Sequence, residues 1–329
     1  MKDELKIFED NEVDSIVEQA QQKQYPKVQA AQWAIAETRK GTVIYGKDIN
    51  LSNEIASQTK IMTAYVVLKL MEEMEIDKPK NIFMRVTKKA EKVKGTKAGL
   101  ITGQCISIYD CLHALMLPSG NDAALVLATA FGKYLHFATL TEKRKNVTKE
   151  TDEDIKQIFI KHSSMPLKKF HEAGSKLENK LYINAFVSEM NKHAKWLKVD
   201  EDTNFTNPHG LSDKNNHSTP ADICRVTSHL LRSELMREIV SKRFYECSVI
   251  SREHSLQLIQ WSNSNKLLND YFQGVKTGTT PTAGPCLTGY FQYKEFTAIA
   301  CVMNTKTTES RWKDMAILFL WALDKYYLA

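Results

Sequence analysis

Ser57 and Lys60 stand three residues apart in Ser57-Gln58-Thr59-Lys60, at the head of an apolar run. On a helix that spacing sets both side chains on one face. A serine hydroxyl is a poor nucleophile without a base beside it, and a neutral lysine can be that base. Burial beside Ile61–Met71 disfavours the ammonium form, and the positive end of the helix dipole acts in the same direction. The Ser57 backbone N–H, at the helix start, is free to donate into an oxyanion hole. The chemistry this permits is acyl transfer through a serine ester. The spacing alone is weak, because Ser310-Arg311-Trp312-Lys313 repeats it in what reads as a surface helix.

Two further motifs supply what such a reaction needs. Ser119-Gly120-Asn121 follows Pro118 between two apolar helices. There Ser119 can relay a proton and Asn121 can hold a substrate amide. Read by itself, the triplet is better taken as a turn with Asn121 as a helix cap. Lys276-Thr277-Gly278-Thr279 lies on a strand preceded by Gly274-Val275. Gly278 lets a substrate backbone approach the strand edge. The Thr279 N–H offers a second oxyanion donor, and Lys276 with the hydroxyls of Thr277 and Thr279 makes an anion site suited to a terminal carboxylate. By itself that is an exposed edge strand blunted by a lysine. The three motifs in this order carry the reading.

The elements that must position them can be placed along the chain. Residues 3–24 are polar and periodic, a surface helix ended by Pro26. Ala30–Glu37 and Gly41–Gly46 read as a β-hairpin. Ser57–Glu75 is a helix apolar nearly all round, as in the middle of a domain. Apolar helices follow at Ile108–Leu117 and Asn121–Phe131. The Lys-, Glu- and Thr-rich stretch from Gly132 to Lys180 reads as a surface insertion, partly helical. Helices resume at Leu181–Leu197 and Pro220–Leu231. Gly274–Gly278, Gly284–Tyr293 and Phe296–Asn304 read as strands, and a helix from Arg311 to Tyr326 follows. Strands at both ends with helices between them predict an α+β fold, an antiparallel sheet built from both termini with a helical region inserted. The division is a helical extension over residues 1–25 and a catalytic domain over residues 26–329, the insertion at 132–180 included.

The bulk numbers set limits. The chain has 329 residues, 43% of them hydrophobic, enough to bury a core. Its net charge of +6 is too diffuse to argue for nucleic acid. Six cysteines form no CxxC pair and read as buried thiols, with a single bridge left open. The most apolar stretches, Ile61–Met71 and Met315–Leu323, are too short to span a bilayer. The first residues are charged and lack the apolar core of a secretory signal, so the cytoplasm is the default expectation.

On longer strings the chain resembles the D-alanyl-D-alanine carboxypeptidases, the low-molecular-mass penicillin-binding proteins. Ala56-Ser57-Gln58-Thr59-Lys60-Ile61-Met62-Thr63-Ala64 is similar to the family's ASxTKxMTA, and Ser119-Gly120-Asn121-Asp122-Ala123-Ala124 to its SGNDAA box. Phe205-Thr206-Asn207-Pro208-His209-Gly210-Leu211 resembles FxNPHGL, and Gly274-Val275-Lys276-Thr277-Gly278-Thr279-Thr280 with Ala283-Gly284 resembles GVKTGxT…AG. The resemblance implies a β-lactamase/transpeptidase-like fold and peptide substrates ending in D-Ala-D-Ala, with β-lactams as inhibitors. It implies that Ser57 is acylated, that Lys60 is the general base, and that Ser119 and Asn121 shuttle protons and position the peptide. Lys276, Thr277 and Thr279 would bind the substrate carboxylate, with Arg311 near the strand. It implies no metal and no cofactor. His209 and His217 read as parts of a structural loop. The alternatives are a β-lactamase, disfavoured because Asn204–Leu211 offers no clear glutamate for a deacylating water, another serine amidase or esterase of this fold, and a non-catalytic wall-peptide sensor.

Overall fold

The computed structural model describes Ser15 and residues 25–144, 176–199 and 201–328. The expected helix over residues 3–24 lies outside the described residues, Ser15 apart. In chain order the elements are β1 (Gln32–Glu37), β2 (Val43–Lys47), β3 (Asn53–Glu54), α1 (Thr59–Glu73), β4 (Phe83–Arg85), α2 (Lys88–Glu91), β5 (Cys105–Ser107), α3 (Ile108–Met116), α4 (Asn121–Arg144) and α5 (Lys176–Trp196). They continue as β6 (His217–Ser218), α6 (Pro220–Leu230), α7 (Glu234–Ser241), β7 (Phe244–Ile250), β8 (Leu256–Ser262), β9 (Phe272–Thr280), β10 (Gly284–Tyr293), β11 (Phe296–Met303) and α8 (Ser310–Leu328).

The main sheet has the antiparallel order β2-β1-β11-β10-β9, so the first and last strands of the chain pair at its centre. The apolar run Ala298–Met303 of β11 explains that position. A strand's side chains alternate between two faces, and a central strand buries both. Ile299, Cys301 and Met303 enter the core shared with the helical region. Ala298, Ala300 and Val302 enter a second core closed by α8. In that second core Phe319 of α8 lies 4.8 Å from the ring centre of Phe291 and 5.2 Å from that of Phe272.

The helical region is built around α1. Ile61, Met62, Ala64, Tyr65, Val66 and Val67 are all buried, which is why this helix shows no polar face. A second sheet, β4-β5-β7-β8, flanks it. The β7–β8 hairpin and α7 have no counterpart in the sequence reading. Leu256 and Leu258 of β8 point to solvent, so their apolar alternation marks the wrong face.

Two boundaries move. Helix α4 continues past Phe131 to Arg144 and packs on α5, which begins at Lys176, so residues 132–144 and 176–180 extend core helices. Phe131, Tyr134, Ile183 and Phe186 fill that contact. The remainder of the expected insertion lies outside the described residues. The same extension makes Asn121–Leu140 long and apolar enough to cross a membrane by length and composition, yet half of it is buried within the protein. All six cysteines are free thiols, and only Cys247 is not fully buried.

Candidate active site

The main sheet ends at β9, and a single 3₁₀ turn, Ala56–Gln58, sits between β9 and the start of α1. Ser57 is at the centre of that turn. Its neighbours are bolted in place on both sides. Gln58 is fully buried and donates to the Thr288 hydroxyl of β10 at 2.8 Å and to the Cys301 sulfur of β11 at 3.3 Å. The Thr59 hydroxyl donates to the Ala56 carbonyl at 2.8 Å and accepts from Asn216 at 2.8 Å. Ala56 takes a positive φ of 46°, a conformation costly for a residue with a side chain. Strain of this kind persists where the surroundings enforce it, here directly before Ser57.

Lys60 lies one turn on, fully buried. Its Nζ is 2.9 Å from Ser57 Oγ, 2.7 Å from Asn121 Oδ1 and 2.6 Å from the His209 carbonyl oxygen. Two of these neighbours are obligate acceptors. The Asn121 amide is fixed by its NH₂ donating to the Lys94 carbonyl at 2.8 Å, so its oxygen must face Lys60. Burial, reinforced by the charge of Lys276 and opposed by that of Asp122, holds the Lys60 amine well below its ordinary 10.5. A neutral amine has two N–H groups and one lone pair. In that neutral form the N–H groups go to Asn121 and His209, which leaves the lone pair for the Ser57 hydroxyl.

The His209 carbonyl was invisible to side-chain reasoning, though the loop that carries it was legible. Asn207 Oδ1 accepts from the Gly210 N–H at 2.6 Å and from the His209 N–H at 3.3 Å, tying the turn. Thr63 of α1 donates to the Pro208 carbonyl at 2.7 Å. Gly210 has φ +84°, and a Cβ there would sit 1.8 Å from the Ala56 carbonyl oxygen. No side chain fits. His209 Nδ1 accepts from the Leu211 N–H at 3.2 Å, and burial pushes the imidazole down to about 3, so the ring is neutral with its proton on Nε2. His217 lies elsewhere, its Nδ1 2.8 Å from the Ser52 hydroxyl.

Ser119 and Asn121 follow the end of α3. Ser119 is buried with φ +63°, and its hydroxyl makes no hydrogen bond among the described residues. The fold thus brings Asn121 into contact with Lys60 and leaves the Ser119 hydroxyl unengaged. Asp122, which the motif reading gave no role, anchors this corner. Its carboxylate accepts from the N–H groups of Ala98, Gly99, Leu100 and Ala123 at 2.8 to 3.0 Å.

On β9, Lys276 is fully buried, and burial together with the Arg311 charge lowers its amine to about 7. Its Nζ donates to the Thr277 carbonyl at 3.1 Å. The Thr277 hydroxyl pairs with that of Ser264 at 2.8 Å, and the Ser264 N–H donates to the Leu117 carbonyl at 2.9 Å, a bridge between β9 and the end of α3. Ser264 carries no motif and was missed. A Cβ on Gly278 would lie 3.0 Å from the Ser57 nitrogen, so this strand runs close beside the Ser57 N–H. Thr279 is exposed on the same strand. Arg311 donates to the Thr279 hydroxyl at 3.0 Å and to the Gly278 carbonyl at 3.2 Å. The second Ser-x-x-Lys string is therefore not a surface helix. Its Ser310, Arg311 and Trp312 are buried, and its arginine reaches the Gly278–Thr279 edge of β9.

The profile of the D-alanyl-D-alanine carboxypeptidase family, peptidase S11, matches residues 18–145 and 182–307. The chain belongs to that family. It is 26% identical over 277 residues to a D-alanyl-D-alanine carboxypeptidase of Streptomyces sp. strain K15, covering 83% of this chain and 80% of the relative. A D-alanyl-D-alanine carboxypeptidase of Bacillus subtilis is 26% identical over 288 residues, 87% of this chain and 60% of its own length. One from Escherichia coli is 25% identical over 306 residues, 90% of this chain and 62% of its own length. The chain thus spans somewhat under two thirds of the last two. The crystal structure of the Streptomyces K15 DD-transpeptidase superposes with a TM-score of 0.72 at 24% identity, over 91% of this chain and 98% of that one. The fold is that of the penicillin-binding enzymes, as the resemblance implied.

Proposed function

We propose that this protein is a serine-type D-Ala-D-Ala carboxypeptidase and that the residues above divide its reaction between them. The neutral Lys60 amine takes the Ser57 proton as Oγ attacks the carbonyl of the penultimate D-alanine. The Ser57 and Thr279 N–H groups receive the developing oxyanion. Such preorganised donors are a large part of rate enhancement in acyl transfer, each about 3 kcal/mol. Lys276, Thr277 and Thr279, with Arg311 behind them, hold the terminal carboxylate. The proton returns to the leaving amine through Lys60 and Ser119, terminal D-alanine departs, and water hydrolyses the ester on Ser57. Asn121 keeps Lys60 oriented and borders the peptide.

The observation that carries this reading is the Lys60 amine, fully buried, 2.9 Å from Ser57 Oγ and flanked by two obligate acceptors. A protein that only binds wall peptides needs no such lone-pair alignment. The test is release of D-alanine from an N-acylated peptide ending in D-Ala-D-Ala, measured for the wild type and Ser57→Ala. Release by the wild type alone supports the proposal. Equal release, or none from either, rejects it.

A further inference from the structure

Residues 94–100 run between α2 and β5 without helix or strand, so their backbone groups find partners outside any ladder. They grip Asn121 from outside the site. The Thr96 carbonyl accepts from the Asn121 N–H at 2.9 Å, and the Lys94 carbonyl accepts from its side-chain NH₂ at 2.8 Å. Gly95 packs so closely on that amide that a Cβ would come within 2.8 Å of Asn121 Nδ2. The segment is itself fixed at Ala98. The Ala98 N–H donates to the Asp122 carboxylate, and the Ala98 carbonyl accepts from the Trp261 indole N–H, both at 2.8 Å. Of the residues of β8, Trp261 alone is buried. Its ring stacks on Tyr245 of β7 with centres 6.3 Å apart. Tyr245 stacks on His113 of α3 at 3.6 Å, and its hydroxyl donates to Asp110 at 2.6 Å. One chain of contacts thus runs from β8 through Ala98 and residues 94–96 to Asn121, whose Oδ1 lies 2.7 Å from Lys60 Nζ.

We infer that Trp261 is a positioning residue for acyl transfer: its indole N–H sets the Lys60 amine through the Ala98 carbonyl, residues 94–96 and the Asn121 amide. The inference rests on the carboxypeptidase reading for the Ser57–Lys60 chemistry alone. A buried indole N–H normally has a partner, and a tryptophan that only fills the core matters through its bulk. Here the partner is the backbone that grips the acceptor of Lys60, so the N–H matters apart from the bulk. A carbonyl oxygen that accepts from an ammonium favours the charged form. Loosening Asn121 therefore lowers the Lys60 amine further, moves the rising limb of acylation to lower pH and turns the lone pair from the Ser57 hydroxyl. The charges that face Lys60 are Lys276 on β9 and Asp122 on α4, and His209 on its loop is neutral. A change confined to the indole alters none of them.

The test uses the whole protein and three variants. Trp261→Phe keeps most of the bulk and removes the N–H. Trp261→His places a ring N–H where the indole carries its own and loses more bulk. Gly95→Ala crowds Asn121 from the exposed side of the segment. Stopped-flow acylation by benzylpenicillin is followed against pH, with thermal unfolding measured beside it. Trp261→Phe should acylate at least about tenfold more slowly, with the rising limb about half a pH unit lower. At about pH 8, where an imidazole is neutral, Trp261→His should keep most of the wild-type rate although it unfolds at the lower temperature. Gly95→Ala should slow acylation and move the limb in the same direction, which keeps the test decisive if Trp261→Phe does not fold. Rates that follow bulk, with Trp261→His slower than Trp261→Phe, overturn the inference. So does a limb that stays in place in Trp261→Phe, or wild-type acylation by Trp261→Phe or Gly95→Ala. D-alanine release is measured separately. A wild type that takes penicillin and releases no D-alanine rejects the carboxypeptidase reading and leaves the Trp261 result standing. A wild type that is not acylated at all overturns both.

Discussion

Between about pH 6 and about pH 9 the positive charge of Lys276 should disappear, and with it much of the grip on a substrate carboxylate. Burial and the Arg311 charge set this amine near 7. It is then about 90% protonated at pH 6 and about 1% at pH 9 in the free enzyme. The sign follows directly: the charged form binds the carboxylate, so kcat/KM falls as pH rises through 7. The descent approaches about tenfold per pH unit. Arg311, 3.0 Å from the Thr279 hydroxyl, keeps its charge and limits the total loss to between about tenfold and about a hundredfold. The rising limb at lower pH belongs to Lys60, which must be neutral to act. The assay is kcat/KM against pH for a peptide ending in D-Ala-D-Ala and for its C-terminal amide. Both should share the rising limb, and only the carboxylate should show the fall near 7. Arg311→Leu removes a charge that depresses Lys276, so it should move the fall to higher pH. Parallel falls for the two substrates would refute the reasoning. So would a limb that Arg311→Leu leaves in place.

Three further outcomes are expected. Gly210→Ala places a methyl 1.8 Å from the Ala56 carbonyl oxygen at φ +84°, so it should displace the turn carrying Ser57 and cut acylation by at least about a hundredfold with secondary structure kept, read by stopped-flow acylation and circular dichroism. Asn121→Ala frees the Lys60 amine from one of its two obligate acceptors and should lower kcat by about a hundredfold with a smaller change in KM, read by steady-state kinetics. Lys276→Met should stabilise the protein, because the folded-state amine is held at about 7 against 10.5. The unfolded chain holds that proton more tightly, so the native lysine costs a few kcal/mol at and below pH 7, and the cost fades as pH rises toward 10.5. Urea unfolding at two pH values reads this difference, and a gain that grows with pH would contradict it.

Much of the site was legible because acyl transfer demands particular residue types at particular spacings. The Ser57–Lys60 turn, Asn121 and the Lys276–Thr279 strand are legible as three motifs in a fixed order and through the family resemblance, while each alone reads as weak or ordinary structure. What escaped were groups whose role is set by the fold alone. The His209 carbonyl is a backbone atom, available to any residue type at that position. Ser264 and Asp122 act by tying segments far apart in sequence. The β7–β8 hairpin escaped because Leu256 and Leu258 face solvent, which inverts the pattern from which a buried face is read. The sequence pattern ends helix α4 at Phe131 because the residues after it turn polar, whereas in the structure Tyr134 continues the buried stripe. The pairing of both chain ends at the sheet centre was inferred from element order, and the alternating burial of β11 is its physical basis.

The central claim is that Ser57 is a nucleophile activated by a neutral Lys60. Intact mass after incubation with benzylpenicillin tests it most directly, for the wild type, Ser57→Ala and Lys60→Met, with the adduct mapped by peptide digestion. One penicilloyl group on Ser57 of the wild type, and none on either variant, is the predicted result. A wild type that forms no adduct and leaves the antibiotic intact, or an adduct that persists in Ser57→Ala, would contradict it.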